Sequence, residues 1–126
     1  MLKKRNCERY IISGTTLFYK YRSSFFKKHK YSHDYFPVIN ISKGGAKFLC
    51  NNRLKAGKSL IIKVNIPGIE TKPEIMASVK WISKNPEESY KYQTGIAFNS
   101  YGDGKNENSQ KVLDLLETLE KKLGID

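Results

Sequence analysis

The residues best suited to recognition chemistry fall in two short runs. One is Arg5-Asn-Cys-Glu-Arg9, and the other is a polar turn spelled Asn40-Ile-Ser42-Lys-Gly-Gly45. A guanidinium is a planar fork of donors. It matches the paired O6 and N7 acceptors of a guanine, takes a phosphate in two hydrogen bonds, or stacks on a purine face. Lysine offers charge without fork or plane, so the two arginines say more than the lysines around them. Asn40 carries both an amide donor and a carbonyl acceptor and suits the Watson–Crick edge of a base. Ser42 offers a hydroxyl to a phosphate or a base, and Gly45 lets a backbone come close to a ligand. The same Asn and Ser also bond their own backbone in turns, which makes a rigid platform for a site. Trp81, the single tryptophan, is either a stacking platform for a base or a large residue packed on the sheet.

Other chemistry is poorly supplied. His29 and His33 are four apart, but Lys27, Lys28 and Lys30 surround them and would repel a cation. Cys7 and Cys50 lack the CxxC or CxxH spacing of a structural zinc site, and two cysteines make no disulfide framework. No nucleophile–base pair or paired carboxylates stand at useful spacing, so the reading is a protein that binds rather than catalyses, with no cofactor and no metal.

The elements that must position these residues are mostly strands. Residues 1–8 are polar and basic and read as a flexible arm holding the start of RxxxR. From Arg9 the texture changes, and Tyr10 to Tyr21 reads as a first strand rich in β-branched and aromatic residues. Residues 23–34 read as a loop. Further strands are expected at Tyr35–Ile41, Ala46–Cys50, Lys58–Ile66, Glu74–Ile82 and Tyr92–Phe98. Leu60, Ile62, Val64 and Ile66 share one face at period two, as do Ile75, Ala77, Val79 and Trp81. Gly44 and Gly45 are expected to supply backbone angles closed to other residues. The tail changes to helical period, with Val112, Leu115, Leu116, Leu119 and Leu123 spaced by three and four. Asn108 or Ser109 suits the cap of a helix over about 109–123, and Gly124 suits its end. Six short strands and one helix make a mainly β chain, a small antiparallel barrel over residues 9–126.

A chain of 126 residues suits one domain. The formal net charge is +11 and the pI about 9.7. The excess is uneven: residues 105–126 hold four basic and five acidic groups, so that tail is −1 and the rest is +12. Such a field attracts polyanions without choosing among them. No apolar run approaches the roughly 20 residues of a membrane span, and the basic N-terminus has no apolar stretch behind it. The expected compartment is the cytoplasm, without membrane insertion.

RxxxR just before the first strand, followed by NxSxxG at the end of the second, resembles the PilZ domain family. Ser42-Lys-Gly-Gly-Ala-Lys-Phe48 looks like that family's S-x-G-G-x-x-[FLIV] run, and Leu54-Lys-Ala-Gly-Lys58 is similar to its L-x-x-G turn. Ala77-Ser-Val-Lys-Trp81 resembles its A-x-V-x-W strand and Gly95-Ile-Ala-Phe98 its G-[IV]-x-F strand. The likeness covers roughly residues 4–123. It implies a six-stranded PilZ-type β-barrel with a C-terminal helix that binds the bacterial second messenger cyclic di-GMP through Arg5, Arg9, Asn40, Ser42 and Gly45. A basic residue just before RxxxR tends to accompany a stacked ligand dimer in the family, so Lys4 implies two ligands per chain. A receptor of this kind changes shape on binding and signals to an effector protein in motility, biofilm or polysaccharide control.

A second reading comes from Phe25, Phe26, Lys27, Lys28, Lys30, Tyr31, Tyr35 and Phe36. Interleaved aromatics and lysines on a small barrel suit single-stranded nucleic acid. The leucine stripe of the tail fits packing on the barrel or a homodimer through the helix.

Overall fold

The structure, a computed structural model, describes residues 10–22, 30–87 and 89–122. Lys4, Arg5, Cys7, Arg9, Phe25, Phe26 and His29, with the arm expected over residues 1–8, lie outside the described residues, as do Leu123 and Gly124.

Six strands follow one another: β1 (Thr16–Tyr21), β2 (Phe36–Ile41), β3 (Gly45–Cys50), β4 (Ser59–Asn65), β5 (Glu74–Lys84) and β6 (Tyr92–Phe98), then helix α1 (Gln110–Lys122). All pairings are antiparallel, and the order β1-β2-β3-β6-β5-β4 closes on itself, because β1 pairs with β4 from Thr16↔Asn65 to Tyr21↔Leu60. Closure removes the exposed edges an open sheet would leave.

Period two holds along β4, where Leu60, Ile62 and Val64 are fully buried. Inside the barrel they meet Leu17, Ile75 and Phe48, while Tyr19 stacks its ring 5.7 Å from Phe36 and 6.1 Å from Phe48. The helix joins the same core through Val112, Leu116 and Leu119. Its apolar stripe is thus used within the chain, as one of the two expected arrangements required.

The first strand is shorter than expected. Residues Ser13 and Gly14 make a turn closed by Thr15 N–H to the Ile12 carbonyl at 3.1 Å, with Gly14 at φ +86°. That left-handed angle suits glycine and breaks the ladder. Upstream of the turn, among the described residues, Tyr10 pairs in an isolated bridge with Ile41. Sequence texture alone ran the two pieces together. The fifth strand, by contrast, continues two residues past Ile82, to Lys84.

Asn108 is not a free cap. It is 2% exposed, and its side chain pairs like a strand residue with Met76, accepting from the Met76 N–H at 2.7 Å and donating to its carbonyl at 3.0 Å. The first helical bonds are instead received by the Ser109 carbonyl, from Val112 and Leu113.

Candidate functional site

The turn between β2 and β3 is built from its own polar groups. Ser42 donates its N–H to the Gly45 carbonyl at 2.8 Å, and its hydroxyl accepts the Gly44 N–H at 3.1 Å. With Ser42 only 3% exposed, that hydroxyl belongs to the turn. Neither Gly44 nor Gly45 adopts a positive φ; among the described residues only Gly14, Gly57 and Gly68 do. The need for glycine at 45 is steric. A Cβ there would sit 2.3 Å from the Ile96 carbonyl oxygen of β6.

Two irregularities beside this turn decide which side chains reach the surface. In β2, Val38 pairs with Phe48 but Asn40 pairs with Lys47, so Ile39 is an extra residue. In β5, Val79 pairs with Ile96 but Trp81 pairs with Gly95, so Lys80 is an extra residue. Such bulges turn the following side chain to the opposite face. Without the first, Asn40 would face the core opposite Ala46. Without the second, Trp81 would face the core opposite Thr94. Trp81 was expected on the side of Ile75, Ala77 and Val79; the bulge corrects this, and the indole is 39% exposed while those three are buried.

The consequence is a lateral row on the outer face: Asn40 of β2, Lys47 of β3, Gly95 of β6 and Trp81 of β5, joined by successive register pairs. At about 4.8 Å per strand, the row spans roughly 14 Å. The indole lies down on Gly95, since a Cβ at that glycine would be 2.2 Å from Cε2 and 2.3 Å from Nε1 of Trp81. One face of the ring is covered by the sheet and the other is presented outward. Lys47 was not singled out in the sequence, and Gly95 only as the first residue of the G-[IV]-x-F strand. Their place in the row comes from the strand register, which no local pattern displays.

The remaining members of the turn are tied to the tail. Lys43 lies 3.4 Å from the Glu117 carboxylate, and its carbonyl accepts from the Tyr101 hydroxyl at 2.6 Å. Tyr10, the residue directly after Arg9, is hydrogen-bonded on both backbone groups to Ile41, between Asn40 and Ser42.

Phe25, Phe26, Lys27 and Lys28 of the basic–aromatic segment lie outside the described residues, and two of the four described ones are spent on structure. Phe36 is in the core. The Tyr31 ring has the ammonium groups of Lys20 and Lys63 each 4.6 Å from its centre, and its hydroxyl bonds Glu74. Tyr35, 61% exposed, remains as an open ring, edge-on to Phe18. Among the described residues no group of three or more His, Cys, Asp or Glu side chains is placed to hold a metal, and no helix is long and apolar enough to cross a membrane.

A closed six-stranded barrel with a glycine-bearing polar turn and a terminal helix agrees with the match to family models. The PilZ domain family matches residues 3–115, and the chain belongs to that family. Among solved structures it is similar to the Bacillus subtilis inhibitor of motility MotI/DgrA, with 18% identity and a TM-score of 0.62, over 98% of this chain and 53% of that one. It is also similar to the K. pneumonia MrkH–c-di-GMP complex, with 15% identity and a TM-score of 0.57, over 96% of this chain and 56% of that one. The PilZ domain of YcgR from Escherichia coli, solved with c-di-GMP, matches with 13% identity and a TM-score of 0.54, over 97% and 98% of the two chains. These likenesses are of fold. This chain spans about half the length of MotI and MrkH. No curated protein matches the sequence.

Proposed function

We propose that this chain is a receptor for cyclic di-GMP, which it binds on the outer face of β2, β3, β6 and β5. The observation that carries the reading is the pair of bulges that turn Asn40 and Trp81 outward into one row beside the NxSxxG turn. Asn40 reads a guanine edge, the Trp81 indole stacks a guanine, and Ser42 and Gly45 keep the turn close against β6. Arg5 and Arg9 supply the guanidinium forks for phosphate and for the O6 and N7 edge. Their segment enters the site because Tyr10, next to Arg9, is bonded to Ile41 in the middle of the motif. Lys4 extends the basic segment for a second, stacked ligand.

The protein acts without catalysis. Ligand held between the arginines and the barrel changes the surface offered to an effector protein, in motility, biofilm or polysaccharide control, inside the cytoplasm. MotI is by its name an inhibitor of motility, and MrkH and YcgR were solved with c-di-GMP, which supports this choice of ligand and output. The nucleic-acid reading loses support from the burial of Phe36 and the enclosure of Tyr31.

Calorimetric titration with cyclic di-GMP tests the proposal, on wild type, Arg5→Ala and Arg9→Ala. Wild type is expected to bind at micromolar ligand or tighter with two ligands per chain, and Arg9→Ala to lose binding while keeping its melting transition. Absence of heat with wild type overturns the receptor reading, and saturation at one ligand per chain overturns the stacked pair.

A further inference from the structure

We propose that Lys47 is a further ligand-binding residue and that Gly95 is the positioning residue that seats Trp81 beside it. The inference rests on reading this face as the cyclic di-GMP site. Lys47 follows Ala46 and precedes Phe48, both fully buried, so its side chain leaves the barrel on the outer face. The register puts it between Asn40 on one side and Gly95 on the other. The indole lying over Gly95 brings an aromatic face to within about one strand spacing of the Lys47 backbone.

A dianionic ligand with one base on the indole and one base edge at Asn40 places phosphate between them, over β3. Lys47 is the cation at that place. The lysine inside the motif is not equivalent, because Lys43 is held by Glu117, the single ion pair among the described residues. Lys47 has no such partner there and meets an incoming phosphate as a charge-assisted donor. Gly95 acts through Trp81. Any side chain at 95 would enter the plane of the ring, with a Cβ between 2.2 and 2.7 Å from three indole atoms, so the ring would lift from the sheet and leave the row.

The test uses calorimetry with cyclic di-GMP at two salt concentrations, together with the fluorescence of Trp81, which reports alone because it is the single tryptophan. Lys47→Met is expected to weaken binding about tenfold, with a shallower salt dependence, and Lys47→Arg to restore most of the affinity. At saturation Lys47→Met still quenches Trp81. Gly95→Ala is expected to lose the quench and weaken binding. In a Trp81→Leu background the same Gly95→Ala change should add no further loss, which separates displacement of the ring from general damage and relieves the clash if the single variant folds poorly. Wild-type affinity and salt dependence in Lys47→Met overturn the role of Lys47. A full quench in Gly95→Ala, or an equal loss with and without the indole, overturns the role of Gly95. If wild type itself does not bind, the receptor reading has failed, and that is seen before any variant is compared.

Discussion

The Tyr10 hydroxyl donates a 3.1 Å hydrogen bond to the backbone carbonyl of Leu116 in α1. The same residue gives and receives 2.9 Å backbone bonds with Ile41 at the end of β2. One residue therefore joins three things: the root of the RxxxR segment and the NxSxxG turn through its backbone, and the terminal helix through its side chain. Tyr10→Phe keeps the buried ring and deletes only the bond to the helix. It is expected to lower unfolding free energy by about 1 kcal/mol, the usual net worth of one intramolecular hydrogen bond. Urea denaturation followed by far-UV circular dichroism measures this; an unchanged midpoint would mean that the bond contributes nothing to stability.

The same burial sets an alkaline limit. Desolvation, with the nearby Glu120 charge adding to it, pushes the Tyr10 pKa up to about 12 from the ordinary 10. The neutral phenol is the form the fold favours. Its contribution is fully present below pH 10, where unfolded tyrosine is also neutral, and is lost as the pH rises from about 10 towards 12. Burial moves Tyr19, Tyr31 and Cys50 in the same direction. Stability should thus fall steeply above pH 10 in wild type and less steeply in Tyr10→Phe. Denaturation midpoints at pH 9 and pH 11.5 for both proteins decide it, and equal slopes would remove Tyr10 from the account.

Asn108 closes a different joint. Its amide oxygen takes the Met76 N–H, and its amide nitrogen donates to the Met76 and Asn99 carbonyls. The backbone N–H of Asn108 reaches the Ser100 carbonyl at 2.8 Å, and its own carbonyl accepts from Gly102. Asn108→Ala leaves the Met76 N–H without its partner, while the Met76 carbonyl keeps the Asn99 N–H at 2.9 Å, at a cost of about 1–3 kcal/mol. The loss should appear as a lower melting temperature with little change in far-UV spectrum below the transition. A cost under about 0.5 kcal/mol would show that water replaces the amide.

Strand positions were legible wherever the apolar period was regular. Leu60, Ile62 and Val64 needed only their alternation, and the tail helix only its spacing of three and four. What stayed hidden depends on partners distant in sequence. A bulge is a relation between two strands, so Ile39 and Lys80 look like ordinary strand residues until Phe48, Lys47, Ile96 and Gly95 are set beside them. The face of Trp81 was misread for that reason, and Lys47 was passed over. Asn40, Ser42 and Gly45 were legible as a motif, but the reason for Gly45 was not. Local rules suggest a left-handed angle, whereas the structure uses it to admit the Ile96 carbonyl. Ser13-Gly14 did carry a readable turn signal, masked by the β-rich residues on both sides of it.

That reason for Gly45 separates two kinds of glycine. At Gly57, with φ +88°, an added Cβ meets nothing within 4 Å, so Gly57→Ala carries backbone strain alone, about 1–2 kcal/mol. At Gly45 the angle is permissive but the space is taken, and β3 must move away from β6 to admit a methyl group. Gly45→Ala is expected to cost more than Gly57→Ala, about 3 kcal/mol, from overpacking and weakened ladder bonds. Paired denaturation curves rank the two, and the reverse order would contradict the steric account.

Thr15 marks a place where the fold has stability to gain. It is 3% exposed, and its backbone is satisfied, the N–H by Ile12 and the carbonyl by Val38. Its hydroxyl oxygen has no hydrogen-bond partner. A buried polar group without a partner costs about 1–3 kcal/mol relative to an apolar group of the same shape. Valine has that shape and keeps the branched Cβ that suits the chain entering β1. Thr15→Val is therefore expected to raise unfolding free energy by about 1 kcal/mol, read as a higher urea midpoint at unchanged slope. Thr15→Ser keeps the orphan hydroxyl and removes a methyl, and should lower the midpoint. If valine destabilises instead, the hydroxyl is met by a buried water.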